Sequence, residues 1–344
     1  MRCAPMGRIS FYIQEPNNHA LNQSSQFKVI VLKHVTLMNG KAKGNLAMLV
    51  SKVFSGFNEN ALRYLLPTWM SAYSGVFLRV GFATVFFWIL GLFTRQKASP
   101  TTLKQRAKLF ALGFFCVFGY MFFLLMGLTY TTPVSSSIFI SLQPVCVFAI
   151  CLCIGKEQAS LKKITGILIG IGGAMICVLT QKTSDVASNP LLGNIYCAGS
   201  MLVYSVYLIL SKLLLKNTDT VTMSKWTFLG AVIPAAAVAF FMGWDAPVLK
   251  MSVLSAPMLI LLFVLVFPSS VSYLLIDIGL KNLSATVVSL YGAVILIVAS
   301  ILSYALGQDH FSWWQILAMA MIISAVYLVE IAENRTKPSS SQQK

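Results

Sequence analysis

Long apolar segments separated by short polar breaks constrain this chain more than any other feature. Dividing the sequence at proline, glycine and charge clusters leaves ten mostly apolar segments, each close to the roughly 20 residues that a helix needs to cross a bilayer. We therefore predict an all-α polytopic membrane protein with ten transmembrane helices. Their approximate bounds are 44–65, 68–93, 107–129, 132–154, 161–180, 191–214, 221–244, 254–280, 284–306 and 312–331.

Composition argues against several other classes. The 344 residues are 57% hydrophobic and 10% charged, whereas about a quarter of the residues of a soluble domain are charged. The net charge of +16 would suit nucleic acid, but the basic residues lie in the breaks between apolar segments, so we expect no nucleic-acid partner. The seven cysteines and three histidines are scattered, without metal-ligand spacing, and we predict no metal and no other cofactor.

The polar breaks alternate in charge along the chain. With the N-terminus inside, most of the lysines and arginines of the breaks fall on one side of the membrane. The opposite side holds Arg63 at a helix end, Lys182 and Lys250. Because cytoplasmic loops carry an excess of Lys and Arg, we expect both termini in the cytoplasm.

The two ends of the chain differ from the segments between them. Residues 1–43 are largely polar, and Met38 opens a short basic lead into the first apolar segment. We expect residues 1–37 to be disordered or foreign to the natural product, with Met38 as its start. Residues 332–344 are expected to form a disordered C-terminal tail.

The two halves of the chain resemble each other. "GNLAMLVSKV" from Gly44 aligns with "GNIYCAGSML" from Gly193, "MGLTYTTPVSSS" from Met126 aligns with "IGLKNLSATVVS" from Ile278, and "GKEQ" aligns with "GQDH". Five crossings is an odd number, so the second copy must lie inverted in the membrane. Inverted repeats are characteristic of transporters, with the substrate site near the midplane. The predicted copies are residues 44–180 and 191–331.

The first apolar segment carries a polar face. At 100° per residue, Lys52, Ser55, Glu59 and Arg63 lie within roughly 80° of one another, and Asn58 precedes the glutamate. An isolated charge at the bilayer centre costs about 2.5–3.5 kcal/mol, so this face must meet protein or trapped water. It either lines a cavity or forms a structural ion-pair ladder, with Glu59 and Arg63 as a pair one turn apart.

Arg79 lies near the middle of the second segment. Its guanidinium is too deep to reach the interface easily and needs a partner, for which Glu59 is the nearest candidate. Arg79 is either a buried tie between helices or the group that meets an anionic part of the substrate. Glu59 is also our candidate for proton coupling, because it is the deep carboxylate of the first half.

The fourth and sixth segments add uncharged polar side chains. Tyr204 and Tyr207 share one face of the sixth segment, where rings and hydroxyls suit a partly apolar metabolite. The proline within the fourth segment predicts a kink, which fits a cavity-lining helix and fits packing almost as well. The candidate cavity residues of this segment are Ser137, Ser141, Gln143 and Pro144.

Two further features are interpreted as structural. Asp277 lies four residues before Lys281 near the end of the eighth segment, and we favour a local helix-end pair there over a proton-carrying role. Gly166, Gly170 and Gly173 place small residues on one face of the fifth segment, which predicts close helix packing.

Several of these motifs together resemble the drug/metabolite transporter superfamily, and most closely the EamA-type permeases of bacteria. They are "SGFN" in the first segment, the arginine of the second, "TYTTPVSSSIFISLQP" and "IGKEQASLKKITGILIGIGGA". The resemblance implies helices one to four and six to nine around a central cavity, helices five and ten outside them, and a bacterial inner-membrane location. Glu157 matches the family's glutamate after the fourth span, whereas Leu296 replaces an expected proline and Asp309 stands at the second acidic position.

The leading functional hypothesis is a secondary transporter that moves a small metabolite, such as an amino acid or a drug-like compound, by alternating access. The alternative is a lipid-linked sugar flippase or a nucleotide-sugar carrier, whose anionic cargo would suit Lys52 and Arg79. An intramembrane enzyme is a remote alternative, because no predicted span contains a histidine and no serine has an evident base. We expect a small-molecule substrate and the bilayer as partners, and a monomer or homodimer.

Overall fold

The structure is a computed structural model that describes residues 40–66, 68–94, 102–155, 161–180, 187–309 and 312–336. All regular structure within these ranges is helical. The helices, some of them interrupted, are α1 (Gly40–Leu65), α2 (Ala72–Phe93), α3 (Leu103–Tyr130), α4 (Pro133–Cys153), α5 (Leu161–Thr180), α6 (Pro190–Leu214), α7 (Thr220–Met242), α8 (Ala256–Asn282), α9 (Ala285–Ala305) and α10 (Trp313–Thr336).

Seven of these helices, α2 to α4 and α6 to α9, are long and apolar enough to cross a membrane. Helices α5 and α10 contain shorter apolar stretches, Ile164–Ile176 and Trp313–Ala325, and α1 carries ionisable side chains along its length. The predicted all-helical membrane class is therefore confirmed.

The predicted tails are only partly covered. Helix α1 begins at Gly40, inside the expected N-terminal tail, and α10 continues to Thr336, past the predicted tail start at residue 332. The expectation for residues 1–37 and Met38 lies outside the described residues, as do residues 337–344.

Hydroxyl and carboxylate side chains in the polar breaks cap the helices that follow. The Ser71, Thr132 and Ser284 side chains accept hydrogen bonds from the first-turn amides of α2, α4 and α9, and Asp219 does the same for α7. Such side chains satisfy amides that have no partner within the helix. The breaks in hydropathy therefore coincide with the chemistry that starts each helix.

All four interrupted helices contain proline or glycine at or just after the interruption. Helix α9 is broken at Tyr291, just before Gly292. Helix α3 contains a π turn at Gly113–Val117, and α8 contains one at Phe267–Val271, which includes Pro268. Helix α4 is broken at Leu142, just before Pro144, so the predicted kink is present. Proline removes a backbone donor and opens the i→i−4 ladder. Each interruption frees backbone carbonyls or re-aims side chains inside the bundle.

The packing partners of the helices are mostly distant in sequence. Helix α1 lies against α8 and α9, α6 lies against α3 and α4, and α2 lies against α7. Helix α4 also packs on α9, and α5 packs on α10. Hydrogen bonds reinforce these contacts: Ser51 Oγ donates to Ser272 O at 3.1 Å, and Asn60 Nδ2 donates to Ala299 O at 3.1 Å.

Glycine allows two helix pairs, α3–α7 and α5–α10, to approach at backbone distance. A Cβ built on Gly113 of α3 would lie 1.7 Å from Thr227 O, and one on Gly230 of α7 would lie 2.1 Å from Phe110 O. On α5, a Cβ at Gly173 would lie 3.1 Å from the carbonyl oxygen of Ala318 on α10. The predicted close packing of α5 is confirmed at Gly170 and Gly173, and α3–α7 is a tighter contact of the same kind.

Gly113→Ala is expected to destabilise the protein by about 1–3 kcal/mol, because the added methyl group must push the α7 backbone away. Gly81→Ala is the matched control, since a Cβ there meets nothing within 4 Å and alanine favours a helix over glycine. Thermal unfolding of the two purified variants in one detergent measures the difference. Equal stability of both would contradict the close contact.

Candidate functional site

A small cavity lies at the centre of the bundle, enclosed by α1, α2, α3, α4, α6, α8 and α9. Its volume is about 20 Å³, which holds a single water molecule. Charged, amide, aromatic and aliphatic side chains meet around it. The lining residues are Lys52, Ser55, Asn58, Glu59, Arg79, Tyr120, Ile140, Gln143, Tyr204, Pro268, Ser272, Tyr273, Ile276 and Ile295.

Three ionisable side chains form one wall of this central cavity. Lys52, Glu59 and Arg79 are exposed by only 2%, 1% and 2%. Glu59 Oε2 accepts a hydrogen bond from Ser136 Oγ at 2.8 Å, and Arg79 Nε donates to Ser269 Oγ at 2.8 Å. Charges buried at this depth are tolerated only with polar partners or water, and hydroxyl groups supply part of that need.

The ion pairs expected from the sequence are not formed. Glu59 approaches no arginine of the described residues within the 4.0 Å of an ion pair, although Arg79 acts on it electrostatically over a longer distance. Arg63 instead donates to the carbonyls of Leu128 and Thr129 at the end of α3, at 3.1 and 3.4 Å. Glu59 is turned into the bundle towards α4, which keeps it away from the guanidinium one turn further along α1.

Aromatic side chains form another part of the cavity lining. The Tyr120 and Tyr204 rings lie 4.6 Å apart at 40°, and Tyr207 stacks behind Tyr204 at 5.6 Å. Lys52 Nζ lies 5.4 Å from the centre of the Tyr204 ring, within the range of a cation–π interaction. Tyr273 of α8 completes this part of the lining. The cavity therefore combines a charged face with a flat aromatic face.

Several polar atoms of cavity residues have no hydrogen-bond partner in the described part of the chain. They are Asn58 Oδ1, Arg79 Nη1 and both amide atoms of Gln143. Leaving a buried donor or acceptor unpaired costs about 1–3 kcal/mol each, and such groups are few in folded proteins. Donors and acceptors without partners thus converge on one small cavity between the helices.

The sequence-predicted site residues divide into two groups. Seven of them line the cavity, and the others lie outside it. Those on the cavity are Lys52, Ser55, Asn58, Glu59, Arg79, Gln143 and Tyr204; those outside are Arg63, Ser137, Ser141, Pro144 and Tyr207.

The residues outside the cavity have structural contacts. Ser137 Oγ donates to Val134 O within α4, and Ser141 Oγ donates to Gly292 O of α9 at 3.0 Å. Pro144 follows the break in α4, and Tyr207 is covered by Tyr204. Sequence spacing placed these side chains on the correct helices but could not say which of them reach the central space.

Sequence reasoning also missed part of the cavity. Tyr120, Tyr273 and Ser272 line it, and Ser269 and Ser136 hold its charged groups. The only signal was the presence of tyrosine and serine within apolar segments. Because their partners lie on other helices, no local pattern distinguishes them from residues that pack elsewhere.

The interpretation of Asp277 as a helix-end partner of Lys281 is wrong. Asp277 is 0% exposed and accepts a hydrogen bond from Ser224 Oγ of α7 at 2.6 Å, whereas Lys281 is exposed. Lys281 lies one turn further along α8, in its last turn, where its side chain is exposed, while Asp277 is covered by α7.

The structure describes two of the three positions that the family resemblance singled out. Glu157 lies outside the described residues. Leu296 is fully buried in an apolar cluster with Val134 and Ile138 of α4, and Gln315 Nε2 donates to Asp309 at 3.3 Å. A leucine in place of proline therefore contributes packing between α9 and α4.

A second, larger concavity lies on the other side of α1. This lateral groove has a volume of about 640 Å³ and a mostly apolar lining. It runs between α1, α8 and α9, near the end of each helix that holds Tyr64, Leu259 and Leu306. These three side chains are exposed, as expected for a surface that meets lipid.

The sequence profile of the EamA-like transporter family matches this chain twice, at residues 42–179 and 191–331. The chain therefore belongs to the EamA-like transporter family. With its apolar helices, it is an integral membrane protein and a membrane transporter of the drug/metabolite type.

Curated relatives are consistent with this class. The uncharacterized transporter YyaM of Bacillus subtilis (strain 168) is 23% identical over 307 residues, which cover 86% of this chain and 97% of that protein. The uncharacterized transporter YetK of the same organism is 24% identical over 71% of this chain and 74% of its own. A WAT1-related protein of Arabidopsis thaliana is 26% identical over 42% of each chain.

A protein of known crystal structure shares the fold. It superimposes with a TM-score of 0.62 at 15% identity and covers 86% of this chain and 99% of that chain. At this identity the likeness concerns the arrangement of the helices and not the cargo.

Ser269→Ala is expected to destabilise the protein by about 1–3 kcal/mol, because it leaves a second buried donor of Arg79 without a partner. Ser270→Ala is the control, since the Ser270 hydroxyl donates to Leu265 O of its own helix, a bond that contributes little. Thermal unfolding compares them. A larger loss for the control would show that the Arg79 contact is not important for stability.

Proposed function

We propose that this protein is a secondary transporter that moves a small metabolite through the central cavity by alternating access. The observation that carries the proposal is the set of unpaired polar atoms and opposite charges on that cavity. A purely structural network would satisfy its members, since partly satisfied buried networks are costly. A site that binds and releases cargo leaves groups for the cargo to satisfy.

We further propose ten crossings arranged as two inverted five-helix repeats. Suppose that α1 to α5 correspond in order to α6 to α10. Exchanging each helix for its counterpart then turns the contact α1–α8 into α6–α3 and the contact α1–α9 into α6–α4. The contacts α2–α7, α4–α9 and α5–α10 map onto themselves. All of these pairs are in contact, as a two-fold relation between the halves requires. The double match of the family profile also supports this proposal.

Local geometry supports the same correspondence. Gly155 after α4 and Gly307 after α9 have positive φ angles of 67° and 65°, and they belong to the motifs that align in the two halves. The π turns fall in α3 and α8, and the breaks fall in the middle of α4 and α9. Each repeat therefore carries the same irregularities in the same order.

Cargo entry requires a change of conformation. A cavity of about 20 Å³ holds one water molecule, whereas ligand sites usually measure roughly 300–1,000 Å³. Rocking of the repeats about their shared contacts would open the space to one side at a time. The interrupted helices α3, α4, α8 and α9 are suited to such movement, because their backbone ladders are already broken at the centre.

The lining favours a cargo with an anionic group beside an apolar or aromatic part. Two cations, Lys52 and Arg79, outweigh the single carboxylate of Glu59. We assign the anion to Arg79 and Lys52, the flat part to Tyr204, and further hydrogen bonds to the polar side chains of Ser55, Asn58 and Gln143. Glu59 would neutralise Arg79 in the empty cavity and remains a candidate for proton coupling.

The setting is proposed from the sequence together with its relatives. An excess of basic residues in the breaks on one side favours cytoplasmic termini, and the Bacillus relatives suit a bacterial plasma membrane. We propose a monomer or homodimer that works without a cofactor or nucleic-acid partner.

A second candidate is transport of a lipid-linked sugar or a nucleotide sugar. The lateral groove between α1, α8 and α9 is the observation that favours the lipid-linked version, since such cargo would keep its tail in the bilayer. Its polar head would then have to pass α1 to reach Arg79.

Arg79→Leu is expected to reduce uptake of the anionic cargo by about 10–100-fold, because a hydrogen bond to a charged group is worth about 1.5–3 kcal/mol and 1.4 kcal/mol is tenfold. Proteoliposomes are tested with radiolabelled amino acids, the corresponding 2-oxo acids and a UDP-sugar. Arg79→Lys should retain part of the uptake, since lysine keeps the positive charge but lacks the planar, two-pronged guanidinium group.

The control is Arg106→Leu, because the Arg106 side chain is exposed and lies over the Trp226 ring at 5.4 Å. Its uptake should equal that of the unmodified protein. Unchanged uptake by a folded Arg79→Leu protein would refute the assigned role of Arg79, and uptake of the UDP-sugar alone would favour the second candidate.

A further inference from the structure

A second fully buried carboxyl group lies outside the central cavity. Asp277 of α8 is 0% exposed and lies between α6, α7 and α8. Its Oδ2 accepts the Ser224 hydroxyl at 2.6 Å, and its Oδ1 has no hydrogen bond of normal geometry. The Tyr207 side chain of α6 is the other polar group beside it. The donors beside this acid are therefore two neutral hydroxyl groups, of which only Ser224 makes a hydrogen bond of normal geometry.

No cation among the described residues approaches Asp277 within ion-pair distance. Lys212 of α6 donates its ammonium to Leu280 O, and Lys225 of α7 lies over the Trp88 ring at 3.9 Å. On its own helix Lys281 is exposed.

Among the described residues, the remaining elements that pack on α8 supply no counter-charge either. From α1, Lys41 and Lys43 are exposed, and Lys52 faces the Tyr204 ring in the central cavity. From α2, Arg79 is bound to Ser269. The adjoining part of α9, Ala285–Leu290, contains no titratable residue. Asp277 is therefore surrounded by hydroxyl groups and apolar side chains.

An ionised carboxylate in such surroundings would cost several kcal/mol. Intramembrane acids are rare for this reason and mark ion or proton pathways where they occur. Glu59 differs, because Lys52 and Arg79 line the same cavity and offset its charge. The closed structure thus suits Asp277 as a neutral acid and Glu59 as an anion.

The position of Asp277 places it close to one end of the bundle. Ser224 lies in the second turn of α7, which begins at Thr220, and Asp277 lies in the second-last turn of α8, which ends at Asn282. At 1.5 Å per residue the acid is about 6–8 Å from those helix ends. The bond from Lys212 to Leu280 O joins α6 to α8 at the same end.

We propose that Asp277 is the binding site of the proton that drives transport. When the ends of α6, α7 and α8 are closed, as here, the carboxyl group holds the proton. When these ends separate, water reaches the group and it dissociates, Asp277–COOH giving Asp277–COO⁻ and a proton, with no other bond changed. This inference rests on the proposed transport function and moves the coupling role from Glu59 to Asp277.

The packing around Tyr207 connects this acid to the cargo site. Tyr207 stacks on Tyr204 at 5.6 Å and meets Tyr273 edge-on at 6.4 Å, and both of these rings line the central cavity. Cargo that separates the rings would move Tyr207 away from Asp277. One layer of aromatic side chains therefore lies between proton and cargo.

The first experiment needs no cargo. Infrared difference spectra of the protein in proteoliposomes are recorded while pH is raised, with protons as the only ligand. We expect the carbonyl band of a protonated carboxylic acid at neutral pH, lost in Asp277→Asn and kept in Asp245→Asn, whose side chain is exposed. Absence of an Asp277-dependent band at neutral pH would overturn the proposal.

The second experiment separates coupling from cargo binding. Proteoliposomes take up whichever radiolabelled amino acid or 2-oxo acid the unmodified protein transports, either by exchange at equal pH or against a pH gradient. We expect Asp277→Asn to retain exchange while gradient-driven accumulation falls to the level seen at equal pH. Glu59→Gln should still respond to the gradient in proportion to its exchange.

The outcomes are distinguishable. Full accumulation by Asp277→Asn would overturn the proposal, and loss of exchange would assign Asp277 to the cargo pathway and overturn it too. Failure of the unmodified protein to transport any probe would count against the proposed function, whereas the infrared result would still decide whether Asp277 binds a proton.

Discussion

The structure depends on one constraint: polar groups at membrane depth must be satisfied by the protein itself, because hydrocarbon offers no hydrogen bonds. Arg79 donates a hydrogen bond to a serine in the π turn of α8. Glu59 accepts one from a serine of α4, and Asp277 accepts one from a serine of α7. In each case a neutral hydroxyl from a distant helix serves where an ion pair was expected. A hydrogen-bonded hydroxyl group costs less to bury than a second charge, and it holds the charged group in place without neutralising it.

The helix arrangement is alike in the two halves of the chain, whereas the polar side chains of the cavity are not. Helix contacts, interruptions and glycine turns follow the same order in both halves of the chain, whereas the charged side chains do not. Lys52 and Glu59 lie on α1, while the equivalent face of α6 presents Tyr204 and Tyr207. Under the proposed correspondence of the two halves, unlike side chains on equivalent helices give the central cavity both charged and aromatic lining, which suits a cargo with two kinds of surface.

Sequence reasoning succeeded where the signal was local. Segment length and hydropathy located the helices to within a few residues, and the polar face of α1 led to Lys52, Asn58 and Glu59. It failed where a role depends on a partner far along the chain. Arg79 and Ser269 are 190 residues apart, and Ser224 and Asp277 belong to different helices. Neither contact therefore produces a periodic pattern in the sequence.

The sequence by itself determined the class of protein, because the number and length of apolar segments leave few folds in a bilayer, and it determined which helices carry polar groups. Only the tertiary structure decided where those groups point. Helix rotation and packing turned Arg63 outward to backbone carbonyls, brought Tyr120 and Tyr273 inward, and buried Asp277. These side-chain orientations depend on how the helices pack against one another. The packing energy depends on the shapes of both surfaces in a contact and cannot be read from one segment.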